Sequence, residues 1–129
     1  MSEQKNITIL YVDDEETNLF LLRVTFESKY KVLTANSGEE GLNKLEEHKD
    51  EIIVVISDMS MPGMNGVEFI KKAKENHSQI SYFILTGYDY NDQIDEALKS
   101  NVIQKFFTKP FDAAQIEDAV EEAFFNMNN

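Results

Sequence analysis

The sequence predicts an α/β protein of one domain, a doubly wound parallel sheet built from five repeats of strand then helix. Two observations carry this. Short apolar runs rich in β-branched and aromatic residues recur along the 129-residue chain, and stretches with apolar residues three and four positions apart lie between them. A parallel neighbour cannot be reached by a tight hairpin, so each pair of successive strands needs a right-handed crossover, which these intervening helices provide.

In chain order, Ile7 to Val12 is the first strand, followed by a helix with Leu19, Leu22 and Phe26 on its inner face. Tyr30 to Ala35 is a weaker strand, and Leu42 and Leu45 mark the second helix. Ile52 to Ser57 is continuously apolar up to its serine, as befits a strand buried on both faces, and Val67 and Ile70 lie on the third helix. Tyr82 to Thr86 is the fourth strand, with Ile94, Ala97 and Leu98 after it. Gln104 to Thr108 is again weaker, and Ile116, Ala119, Val120 and Ala123 define the last helix. Three helix starts carry the capping-box pattern: Ser37 with Glu40, Asn65 with Glu68, and Asp112 with Gln115. The polar tail from Asn126 to Asn129 is expected to fray.

Composition narrows the function. Twenty-four acidic residues against twelve basic ones leave a formal charge of -12, which repels nucleic-acid backbones and anionic membranes, so no direct partner of either kind is expected. The absence of cysteine excludes disulfides, thiolate metal sites and thiol nucleophiles. No apolar run is long enough to span a bilayer, the N-terminus lacks an apolar signal core, and the expected compartment is the cytoplasm. No glycine-rich loop followed by Lys-Ser or Lys-Thr supports nucleotide binding.

Ligand sites of open α/β sheets lie beyond the carboxyl ends of the strands. There this chain places Asp13 and Asp14, Asp58, Thr86 and Gly87, and Lys109 and Pro110. One aspartate after a strand is commonly a turn former or helix cap. Three together would raise one another's pKa values and oppose folding unless a cation were bound. Oxygen donors without histidine or cysteine suit magnesium better than zinc. Lys109 adds the remaining positive charge.

With Asp13-Asp14, the block from Asp58 to Gly66 (Asp-Met-Ser-Met-Pro-Gly-Met-Asn-Gly), Thr86-Gly87 and Lys109-Pro110-Phe111 in this order and spacing, the chain from about Asn6 to about Phe125 resembles the receiver domains of two-component response regulators. The resemblance implies a flavodoxin-like sheet of order 2-1-3-4-5, with the first and fifth helices on one face and the other three opposite. It implies that Asp58 accepts a phosphoryl group from a sensor histidine kinase or histidine phosphotransfer protein. Magnesium is then expected on Asp13, Asp14, Asp58 and the backbone carbonyl of Met59, with Lys109 completing the site. Thr86 and Phe106 correspond to a switch pair that remodels the surface of the fourth helix, fifth strand and fifth helix. Ser60, Gly87 and Tyr88 stand where the family tunes phosphoryl loss, and a cis Lys109-Pro110 bond is implied.

Two features depart from the commonest pattern: Phe106 lacks the hydroxyl of the usual tyrosine, and Gly87 leaves extra space beside Thr86. The expected role is phosphorylation-dependent signalling to a downstream protein target, without turnover of an outside substrate. The chain carries no output segment after Phe125, so a stand-alone regulator, a relay shuttle and a piece of a longer protein all remain open. Homodimerisation through the fourth-to-fifth-helix face is a further possibility. One rival is a docking module that needs no phosphorylation. Another is a magnesium-dependent phosphatase of the haloacid dehalogenase type, which needs a second aspartate where Ser60 stands. His48 and His77 read as solvated residues near helix ends, and Met59, Met61 and Met64 as packing beside the site.

Overall fold

A computed structural model describes residues 6–87 and 91–127, so Tyr88 lies outside the described residues. The element order is β1 Thr8–Val12, α1 Glu16–Phe26, β2 Lys31–Ala35, α2 Gly38–Glu47, β3 Ile52–Asp58, α3 Gly66–Asn76, β4 Ser81–Thr86, α4 Asp92–Lys99, β5 Lys105–Thr108 and α5 Ala113–Met127. All strands pair in parallel, in the order β2-β1-β3-β4-β5. Every β1 and β3 residue is buried, whereas β2 and β5, on the sheet's two edges, are part-exposed. That explains why their apolar runs read more weakly in sequence.

Strand alternation splits the core in two. Leu10, Val12, Val55 and Ile84 pack under α2, α3 and α4, and Ile9, Tyr11, Val54, Ile56, Phe83 and Leu85 pack under α1 and α5. Phe106 rests against the first cluster and Phe107 against the second, where it meets Phe83 edge-on with ring centres 5.8 Å apart.

Local chemistry sets the helix starts. Asn65 and Glu68 form a reciprocal capping box at α3. At α2, Ser37 Oγ accepts from the Glu40 amide, but the Glu40 carboxylate reaches back one residue further, to the Asn36 amide. Asp112 Oδ1 accepts from the amides of Ala114 and Gln115. Asn91 caps α4 through the Ile94 amide. Two readings need correction. His77 is not solvated: it is 4% exposed, its Nε2 lies 3.2 Å from Glu46 of α2, and its carbonyl accepts from the Tyr82 hydroxyl. Asn126 and Met127, expected to fray, are helical at the end of α5, and Asn128 and Asn129 lie outside the described residues. Among the described residues no helix is long and apolar enough to cross a membrane.

Candidate functional site

Because all five strands run the same way, their carboxyl ends meet along one edge of the sheet. Asp13 follows β1, Asp58 closes β3, Thr86 closes β4, and Lys109 follows β5. Asp58 belongs to its strand because it is paired with Leu85 of β4. Asp13 and Asp58 each lie an even number of positions from the residues of their strands that face α1 and α5, which puts both carboxylates on that side.

Asp13 is fully buried, Asp58 is 6% exposed, and Asp14 is exposed to solvent. Carboxylate oxygens of these three lie within 4.8 Å of one another, a group able to hold a metal ion. Lys109 Nζ bridges two of them, donating to Asp13 Oδ2 at 3.0 Å and Asp58 Oδ1 at 3.2 Å. Burial and then the neighbouring Asp13 charge push the Asp58 carboxyl above its ordinary range, and the Lys109 ammonium only partly offsets them. On Lys109, burial pulls downward, but the hydrogen bond to Asp13 and the fields of Asp13 and Asp58 outweigh it and hold the ammonium above its usual value. The Lys109-Pro110 peptide is cis.

Two contributors went unread in the sequence. Tyr11, 1% exposed, donates its hydroxyl to Asp13 Oδ2 at 2.5 Å. The signal was present, since residues two apart on a strand share a face and Tyr11 precedes Asp13 by two. Gly66 opens α3 directly against β3: a Cβ there would sit 2.3 Å from the Asp58 carbonyl oxygen. Its amide donates to the Met59 carbonyl at 2.8 Å, which leaves that oxygen one further lone pair.

Thr86 is buried, and its carbonyl accepts from the Lys109 amide at 2.8 Å. In the β4–β5 register Ile84 faces Phe106 and Thr86 faces Thr108, so Thr86 and Phe106 lie on the same side of the sheet, toward α4. Phe106 thus sits beyond the acid cluster, in the packing under the helices. Ser60 and Gly87 line a shallow pocket with Asp14, Glu15, Asn18, Asp58 and Lys109. A Cβ on Gly87 would meet the Lys109 side chain at 3.8 Å, an ordinary van der Waals contact.

Fold and site together define a class: a parallel α/β domain with an acid cluster and one bridging lysine over the carboxyl edge of its sheet. The pattern of the response regulator receiver domain matches residues 9–121. The hydrogenase transcriptional regulatory protein HoxA of Cupriavidus necator is 31% identical over 92% of this chain, which spans 24% of that relative's length. Sporulation initiation phosphotransferase F of Bacillus subtilis is 32% identical, covering 91% of this chain and 93% of that one. A response regulator receiver domain protein from Clostridium thermocellum superimposes with a TM-score of 0.85 at 30% identity, over 95% of this chain and 97% of the other. The chain belongs to the response regulator receiver family of two-component signalling, and it carries the acidic cluster of a phosphoryl-accepting site.

Proposed function

We propose that Asp58 is the residue that accepts the phosphoryl group, from a phosphohistidine on a sensor histidine kinase or histidine phosphotransfer protein. A carboxylate oxygen of Asp58 attacks phosphorus, the P–N bond breaks, and its electron pair returns to the imidazole, which takes up a proton. The product is an acyl phosphate, and attack by water on its phosphorus releases inorganic phosphate and restores the carboxylate.

The observation that carries this reading is the imbalance of charge: oxygens of three carboxylates lie within 4.8 Å of one another, and Lys109 pairs with two of them. Oxygen-only donors in that excess fit magnesium, held by Asp13, Asp14, Asp58 and the Met59 carbonyl. When bound, magnesium supplies Lewis-acid neutralisation of the charge that phosphoryl transfer spreads over the equatorial oxygens. Lys109 adds a second positive charge, its Nζ already held 3.2 Å from Asp58 Oδ1.

Thr86 and Phe106 form the switch: the threonine hydroxyl turns toward the phosphoryl group and the ring follows into the space vacated. The α4–β5–α5 surface then presents the signal to a downstream protein target. Their common side of the sheet supports this pairing. Ser60 and Gly87, both exposed and lining the pocket, set access of water to the acyl phosphate, and Tyr88 takes its tuning role from its place two residues after Thr86.

Incubation with acetyl phosphate and magnesium should add one phosphoryl group by mass, and Asp58→Asn should take none. A phosphoryl group retained by the Asp58→Asn variant sinks the assignment. Beryllofluoride with magnesium should shift amide resonances around Thr86 and Phe106, and an unchanged spectrum there removes the switch.

A further inference from the structure

Asp13 is held by more donors than the acceptor chemistry needs, and they differ in kind. Its Oδ2 accepts from the Tyr11 hydroxyl at 2.5 Å and from Lys109 Nζ at 3.0 Å, and its Oδ1 accepts from the Glu15 amide at 2.9 Å. A carboxylate offers about four lone-pair sites, so these donors fill both on Oδ2 and one on Oδ1. Lys109 reaches its oxygen along a flexible four-carbon stem and is partly exposed. Tyr11 is the opposite: its ring is fixed in the core beneath α1 and α5, and two torsions place its hydroxyl.

Resting on the magnesium reading above, we infer that Tyr11 is a positioning residue for the metal ligand Asp13. Its hydroxyl occupies one lone pair of Oδ2 whatever Lys109 does, and so holds the carboxylate plane with the remaining site on Oδ1 turned to the cation. Lys109 can then leave Asp13 for the phosphoryl oxygens without releasing the ligand. Loss of a partner that orients a metal ligand in this way typically costs about tenfold to 100-fold in metal affinity.

A second tyrosine-to-carboxylate bond supplies the control. The Tyr30 hydroxyl donates to Glu121 at 2.9 Å, at the opposite end of the sheet. Magnesium titrations followed by amide shifts, and manganese titrations followed by electron paramagnetic resonance, should show Tyr11→Phe weakened by about tenfold to 100-fold. Tyr30→Phe should match the wild type. A Tyr11→Phe affinity within about twofold of wild type overturns the inference, even if its metal-free melting temperature falls, because that pattern describes a core tyrosine only. Should Tyr11→Phe not fold, wild-type protein carrying ¹³Cζ-labelled tyrosine decides. The Tyr11 signal should move with magnesium at the same midpoint as the Met59 amide, and a stationary signal overturns the inference. Wild-type protein that binds neither ion removes the magnesium reading as well, whereas wild-type binding matched by Tyr11→Phe removes the inference alone.

Discussion

The two ends of the sheet carry similar residues and treat them oppositely. At the amino end, Lys31 pairs with Glu51 at 2.7 Å, His48 lies 3.2 Å from the same carboxylate, Lys29 pairs with Glu117, and Tyr30 bonds Glu121. Hydrogen bonds from Lys31 and then His48 hold Glu51 below the usual carboxylate range. At the carboxyl end buried Asp13 and Asp58 share Lys109, a carboxylate oxygen of exposed Asp14 lies within 4.8 Å of theirs, and Asp58 is displaced upward. The difference teaches where the molecule gives up stability: solvated acids receive their own partners, while buried Asp13 and Asp58 share one lysine and keep an excess of negative charge.

Substitution of lysine at each end should separate the two most sharply. Lys109→Met should slow phosphorylation from acetyl phosphate by about 10²–10³-fold, as loss of one preorganised donor does elsewhere, while Lys31→Met should leave the rate unchanged. Equal effects would erase the distinction. Next in size is the metal. At magnesium one hundred times its Kd, urea unfolding should show a gain of about 2.7 kcal/mol, nearly absent in Asp13→Asn.

Close packing at the carboxyl end comes third. Gly66→Ala should cost about 1–3 kcal/mol in urea unfolding, because the added methyl meets the Asp58 backbone, whereas Gly87→Ala, whose methyl would make only ordinary contact with the Lys109 side chain, should be tolerated. The pH dependence follows from Asp58. Its folded pKa lies above the ordinary carboxylate value of 3.8, so stability is retained below that value and lost as pH rises toward the raised one. Metal-free Asp58→Asn should therefore be more stable than wild type at pH 7, with the gap closing by about pH 4, as paired urea titrations at the two values would read. A gap that widens toward acid reverses the sign and refutes the desolvation account. The smallest effect belongs to the amino end, where coupling within the exposed Lys31–Glu51 pair should be slight in a double-mutant cycle and fade in salt.

Much of this site was legible because it depends on short-range pattern. Asp13, Asp58, Thr86 and Lys109 each stand at or just past the end of a strand, and strand ends are visible wherever an apolar run stops. Alternation along β5 sends Phe106 and Phe107 to opposite sides, with Phe106 on the side of α4 that Thr86 shares. Tyr11 was equally accessible by counting two residues back from Asp13, but a tyrosine in an apolar run reads first as core, and its hydroxyl has no visible partner until the carboxylate is placed. His77 was misread for another reason: its burial depends on α2 and α3 packing so that Glu46 comes within reach.

By itself the sequence determined the alternation of strands and helices, the faces of each strand and the residues delivered to the carboxyl edge, because these follow from local periodicity and from where apolar runs end. Tertiary structure alone decided that Lys109 bridges Asp13 and Asp58, that Tyr11 shares an oxygen with that lysine, and that burial lifts Asp58 above its ordinary range. Such distances join residues as far as 96 positions apart, and desolvation arises only when the packed elements around a carboxylate have displaced its water.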